Sequence, residues 1–485
     1  MSVKRYIASQ DTIISDAFER NLQTRATGSN MGLSDILEVF SIYGQASSGS
    51  LEKARILVQF PTSQISNDRT SGDIPASGSV KFFLHLSNAR HSETLPRNFT
   101  LTVHALSRSW EEGDGLDAVE YSDLSYGGPG ANWVYSAQGT QWSTQGGDFL
   151  TSSYTPGSTM PSYSQTFDAG IEDLDVDITS MVEEWLGGQS DNGVMVKMSG
   201  SYEDGSGQRS YYTKKFFARG SEFWFKRPYI EARWNSATKD QRGNFKPSSS
   251  LLTADDNLQT LYLYNFVNGA LKDIPGISNG NLIFVETWTS SSGGTQQTTT
   301  PDQPVTGGWV STGIYSASFA VSTTASVLYD RWYSGSVAYH TGSFTLVKHN
   351  ASNNVLGTRK YHSNIINLQS SYRPEDVVRF KLFSRLRNST PTLYSIATAE
   401  VTGDIIDEAY WKLVRKIDNF TVVDYGTGSS NPYTKMSYDK EGNYWDLDMG
   451  MLEPGFMYEL RIAYLINGRY EEQPEKFKFK VQDEI

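Results

Sequence analysis

Residues 80–86, VKFFLHL, and 99–106, FTLTVHAL, decide how this chain folds. Val80, Phe82, Leu84 and Leu86 fall on one side of an extended chain, with Lys81 and His85 on the other. A period of two is the mark of a strand with one face on a core and one in solvent. Working outward, residues 35–44, DILEVFSIYG, and 54–60, ARILVQF, repeat the pattern. From Lys4 to about Trp234 such runs alternate with turn clusters, which reads as a sandwich or barrel of many short strands.

Composition agrees. The 485 residues include 42 Gly, 28 Tyr, 23 Phe and 11 Trp. Aromatic side chains suit a pleated, half-buried surface, and Gly, Ser and Asn supply turns. The length suggests roughly two to four domains. Lys and Arg total 42 against 54 Asp and Glu, a formal charge of −12. A nucleic-acid groove needs a dense positive field, so nucleic acid is not an expected partner. Cysteine is absent, and the opening Met1-Ser2-Val3-Lys4-Arg5-Tyr6 leads into Asp11 with no apolar signal-type stretch. No apolar run is long enough to span a bilayer. The expectation is synthesis and folding in a cytoplasm, without membrane insertion.

Three further features organise the chain. Residues 177–188, DITSMVEEWLGG, place Ile178, Val182, Trp185 and Leu186 at helical intervals. Ser180 and Glu183 have capping-box spacing, and Gly187 or Gly188 is the stop. Residues 236–250 turn polar and irregular and read as a linker. Two β-rich blocks follow, 251–348 and 349–485. Within the first, residues 290–308, SSSGGTQQTTTPDQPVTGG, read as a low-complexity loop. In the second, residues 405–416, IIDEAYWKLVRK, read as a short helix.

Candidate chemistry is sparse. None of the six histidines stands in a zinc spacing, and His85 and His104, in strand-like runs, read as hydrogen-bonded structural groups. Asp173, Asp175 and Asp177, and again Asp446 and Asp448, could hold a hard cation such as a structural Ca²⁺ through oxygen ligands. The plainer reading is a solvated strand edge and, for Asp177, a helix N-terminus. No nucleophile elbow, phosphate loop or dinucleotide fingerprint is present, so neither a catalytic residue nor a cofactor is expected. Residues 121–149 are Gly-rich and polar yet carry Tyr126, Trp133, Tyr135 and Trp142. On exposed loops these rings would stack on sugars or anchor a protein partner; otherwise they pack beneath their own loop.

An ordered set of short motifs in residues 1–235 resembles the DNRLRE-type domain, a jelly-roll module like carbohydrate-binding modules that occurs in bacterial surface proteins and phage structural proteins. Asp11-Thr12-Ile13-Ile14 is similar to its opening strand, Asn30-Met31-Gly32 to its early Asn-x-Gly turn, and residues 55–60, RILVQF, to its central strand. Trp110-Glu111-Glu112-Gly113 is similar to its Trp-x-Glu-Gly motif, residues 176–188 to its helix, and residues 216–234 to its closing strands with their Arg-Pro-x-Ile-Glu signature. The signature that names the family is absent. Blocks 251–348 and 349–485 resemble Ig-like sandwiches of large tailed phages, and residues 371–388 and 424–449 are similar to proteins of T4-like marine phages.

The resemblance implies an all-β chain: an N-terminal jelly-roll β-sandwich, then two Ig-like β-sandwiches, with few short helices. It implies a structural virion component in the neck or collar, tail or fibre attachment, in contact with other virion proteins and homo-oligomeric in the particle. A second reading is an adhesin that recognises host surface glycans. A third is a glycan-active enzyme, for which no acid pair or nucleophile stands out.

Overall fold

The computed structural model describes residues 2–90, 97–116, 129–151, 163–204, 211–278, 280–291, 293–347, 360–387, 403–428 and 432–482. Strand outweighs helix by 47% to 8%, so the chain is all-β. It divides between Asn235 and Ser236 into two compact units.

Among its described residues the first unit has two large antiparallel sheets and a small two-stranded one at Tyr135–Ala137 and Thr140–Gln141. The smaller of the large pair runs Val3–Ile7, Tyr229–Trp234, Val80–Leu86, Leu174–Asp177 from edge to edge. The larger runs Tyr211–Phe217, Ile36–Tyr43, Leu51–Gln59, Val194–Met198, Phe99–Ala105, Ser164–Phe167. Gln10–Ser15 shares an edge of the central strand, pairing residues 54–59 where Ile36–Tyr43 pairs 51–54. Strands distant in sequence lie side by side in both sheets, as in a jelly roll. Alternation fills the core: Phe82, Leu84 and Leu86, and Leu101, Val103 and Ala105, are buried. Each large apolar side chain so placed contributes about 1.5–3 kcal/mol relative to exposure.

The expected helix forms as Thr179–Leu186, buries Met181, Val182 and Trp185, and stops at Gly188, whose φ is +101°. Its cap differs from the expected box. Ser180 lies inside the first turn with its hydroxyl 2.6 Å from that of Tyr163, and Glu183 pairs with Arg69. Asp177 takes the capping role, accepting from the Thr179 amide at 3.0 Å. Arg69 belongs to a helix that the sequence did not disclose, Thr62–Ser71, which buries only Ile65.

The second unit has two β-blocks. One curls an eight-stranded sheet around a core built on Phe245, Tyr315, Phe319, Trp332 and Phe344. The other is a sandwich with a four-stranded sheet (Tyr361–Ile365, Val377–Leu386, Gly442–Asp448, Ser437–Asp439) and a six-stranded one containing Phe477–Val481, Met457–Ile466 and Ala409–Arg415. Phe380 of one sheet meets Phe479 of the other, ring centroids 5.9 Å apart.

Three expectations change here. Residues 405–416 are no helix: Ala409–Arg415 is an inner strand buried on both faces. Residues 290–308 are no free loop, since Gly293–Gln296, Thr299–Thr300 and Val305–Ser311 are strands, with Thr299 and Val305 buried. Nor are residues 236–250 a loose linker. The Asp240 amide donates to the Tyr438 carbonyl, the Gln241 side chain accepts from the Thr260 amide, and Phe245 is fully buried. This segment stitches the two blocks of its unit together. Among the described residues no helix is long and apolar enough to cross a membrane.

Candidate functional site

The larger sheet of the first unit has a second face, and both its covering and its opening follow from alternation. Ala54, Ile56 and Val58 point into the main core, which turns Lys53, Arg55 and Leu57 the other way. On neighbouring strands Met195 and His104 share that outer face, paired with Leu57 and with each other. Part of it is roofed by residues 129–151. Trp133 and Trp142 pack there on Ile14, Leu57, Trp110 and Met195 as a second small core. Where the roof ends, a cavity of about 700 Å³ opens, lined by Lys53, Arg55, Ser107, Arg108, Ser143, Thr144, Gln145, Gly147, Asp148 and Phe149.

The walls are held rigidly. Asp148 accepts the amides of Ser143 at 2.8 Å and Thr144 at 2.9 Å and pairs with the Arg108 guanidinium at 2.9 Å. Burial pushes its pKa up, but those hydrogen bonds and Arg108 outweigh it and hold the carboxyl below its ordinary range. Arg55 is buried, donates to Glu203 at 2.6 Å and to the Gly146 carbonyl at 2.6 Å, and sits 5.1 Å from the Trp133 ring centroid. Lys197, beside the cavity, holds its ammonium 5.5 Å from the Phe149 ring centroid. Its pKa is lowered by burial, offset in part by Glu203 and lowered further by the charges of Arg55 and Lys53. His104 is also lowered, by burial first and then by Lys197; it bonds the Leu150 carbonyl and the Thr102 hydroxyl, a structural histidine as expected. A rigid, polar, positively charged recess is suited to hold a ligand.

The aromatic residues singled out in the sequence do not form an exposed platform. Trp133 and Trp142 are each 5% exposed, and Trp142 spends its indole N–H on the Asn132 carbonyl at 2.8 Å. A polar Gly-rich loop hid them because the loop itself is the roof. Tyr135 is half-buried in the short strand Tyr135–Ala137, and Tyr126 lies outside the described residues. The carboxylates of Asp173, Asp175 and Asp177 are drawn to separate partners: the Asn88 amide at 2.6 Å, Arg233 at 3.3 Å, and the Thr179 amide. Asp446 is held by Arg379, and Asp448 caps the Gly450 amide. Among the described residues no group of three or more His, Asp or Glu is placed to hold a metal ion. Lys53 and Arg55, two apart on one strand, were the readable signal for the groove that composition alone passed over.

A second cavity, about 690 Å³, lies in the second unit and is lined in part by Tyr262, Tyr264 and Tyr444. There Arg242, Arg379 and Lys381 each hold a carboxylate, of Asp330, Asp446 and Glu441. Asp240 on its wall is pushed up to about 6 by burial, against the opposing charge of Arg242.

No protein-family profile and no curated protein sequence matches the chain. Among solved structures it is similar to the Yersinia pseudotuberculosis adhesin InvE, at 11% identity over 46% of this chain with a TM-score of 0.16. It spans 54% of that adhesin. The titin domains z1z2 in complex with telethonin match 47% of it at 14% identity, and it spans 90% of that chain, with a TM-score of 0.14. Salmonella alpha-2-macroglobulin reacted with methylamine matches 88% of it at 10% identity, and it spans 22% of that chain, with a TM-score of 0.15. At such scores these likenesses carry no argument about function.

Proposed function

We propose that this chain is a structural component of a tailed-phage particle that acts by binding other virion subunits. The observation that carries the reading is the strand Val337–Thr345. It pairs on one side with Val327–Ser334, ends its sheet on the other, and residues 337–341 are exposed on both faces with no charged side chain or proline among them. Such an edge offers its backbone groups to another chain. Two edges of the first unit, by contrast, are guarded: Val3–Ile7 carries Lys4 and Arg5, and Leu174–Asp177 carries Asp175 and Asp177. The motifs by which residues 1–235 resemble a module of phage and surface proteins add to the reading, and in this chain their residues hold the first unit together. Asn30 bonds four main-chain groups, Arg219 grips Glu112 at 2.8 Å, and Glu231 takes Arg5 and Arg233 at 2.6 Å each.

The test compares particles assembled with the parent chain and with a Val337→Lys, Thr341→Glu variant that charges the free edge. The reading expects the variant to fold normally and to be depleted from particles purified by density. Unchanged incorporation of the variant would remove the edge from the account.

The groove favours a second, compatible reading, in which the first unit contacts surface glycans. Its rigid polar walls and the apolar side chain of Phe149 offer hydrogen bonds to hydroxyls beside one hydrophobic contact. Retention of the chain on host envelope polysaccharide tests it, and loss of retention on removing the first unit's groove charges would localise it.

A further inference from the structure

The groove carries more positive charge than its surroundings balance. Arg55 is matched by Glu203 and Arg108 by Asp148. Lys53 lines the same cavity and Lys197 lies beside Phe149; among the described residues neither makes an ion pair, although Glu203 acts on Lys197, whose ammonium donates to the Met198 carbonyl at 3.4 Å. This happens in a chain whose formal charge is −12, so the local excess runs against the molecule's overall balance. Crowded like charges are unfavourable where water is partly excluded, and a bound anion relieves them. Ser143, Thr144 and Gln145 line the same cavity, the amides of the first two already donated to Asp148.

We propose that the groove binds an acidic saccharide, whose carboxylate or sulfate meets Lys53, with Lys197 beside Phe149 adding to the positive field, while its hydroxyls meet the 143–145 wall. The inference rests on the glycan reading of the groove and adds the charge class of the ligand. Arg55 has a different part: it is a positioning residue, locked between Glu203, Gly146 and Trp133, and holds the wall against which the ligand lies. Lys53, on the cavity wall and without an ion pair among the described residues, is the principal contact group, and Lys197 adds its charge from beside Phe149. Duplex nucleic acid is the less favoured anion, since its recognition needs a phosphate track rather than a short recess.

Affinity electrophoresis of the full chain through gels containing polygalacturonate, dextran sulfate, neutral dextran or duplex DNA tests the proposal. The first two probes separate carboxylate from sulfate as the source of the anion. Either acidic polysaccharide should retard the parent chain, with retardation falling as salt rises. Lys53→Gln with Lys197→Gln should weaken that retardation about tenfold or more, the size expected when a charge-assisted hydrogen bond is lost. Both substitutions remove the charge and shorten the side chain by a single atom, and an unchanged melting temperature would certify the fold. Equal retardation by neutral dextran, or undiminished retardation of the double variant, overturns the acidic-ligand inference and leaves the glycan reading standing. Retardation by DNA alone, or by no probe, removes both.

Discussion

Arg242 donates a 2.7 Å hydrogen bond from each terminal guanidinium nitrogen to the two carboxylate oxygens of Asp330, whose side chain is fully buried. The Trp332 indole N–H reaches the same carboxylate at 2.7 Å. Burial would raise the Asp330 pKa, but the hydrogen bonds and charge of Arg242 outweigh it and hold the carboxyl below its ordinary range. Through this pair the segment that looked like a linker becomes part of the second unit.

Removing one partner strands a buried charge. Arg242→Met is expected to destabilise the second unit by about 3–5 kcal/mol, more than Arg242→Met combined with Asp330→Leu. Chemical denaturation of the three proteins measures this. A single variant as stable as the parent would mean that the segment is not anchored there.

Asn30 is the corresponding keystone of the first unit. Its amide donates to the carbonyls of Glu112 and Ala131 at 2.9 Å each, and its oxygen accepts from the amides of Gly115 at 2.8 Å and Gly32 at 3.2 Å. The glycines are required by closeness: a Cβ on Gly115 would stand 1.9 Å from the Asn30 carbonyl oxygen. Asn30→Ala leaves these groups unpaired, and a loss of about 3 kcal/mol or more is expected in thermal or urea unfolding. Asn30→Asp keeps the acceptor and loses the donor, so it should recover only part of that loss.

Asp11 makes stability depend on pH in an uncommon direction. Burial raises its carboxyl to about 7; the hydrogen bond and charge of Arg219 pull it down and the charge of Glu112 pushes it up, without reversing the rise. The folded state therefore holds a proton that the unfolded chain gives up near its ordinary value of about 3.9. Stability from this group is full below that value, declines as pH rises, and is lost above about 7. Melting temperatures measured from pH 4 to 8 should show the decline, and Asp11→Asn, which can still accept from the Arg219 amide, should flatten it. A parent whose stability rises across that interval as much as the variant's would contradict the assignment.

Gly146 ties the roof to the groove. Its φ is +89°, and a Cβ would meet Trp133 at 2.8 Å and the Arg55 guanidinium at 2.9 Å. Gly146→Ala is expected to cost about 1–3 kcal/mol and to weaken retention on acidic polysaccharide, because Arg55 must shift. Retention unchanged in a destabilised variant would separate the groove from the roof.

Much of the fold was legible because alternation survives wherever a strand has one wet face, as at Val80–Leu86. It failed where that condition fails. In Ala409–Arg415 both faces are dry, so Tyr410, Trp411, Leu413 and Val414 crowd together and imitate a helical stripe. The helix Thr62–Ser71 buries a single apolar residue and left no period to detect. Trp133 and Trp142 were noticed, but a sequence cannot say which side of a Gly-rich loop faces inward. The groove itself depends on Lys53 and Arg55 meeting Arg108 and the 143–149 segment, which are far from them in the chain.

Quantitative mass spectrometry of particles purified by density from an infected culture tests the central claim most directly. The account predicts this chain in the particle fraction at a fixed copy number set by the symmetry of its attachment point. Its presence only in the particle-free supernatant, or at a copy number that varies between preparations, would contradict it.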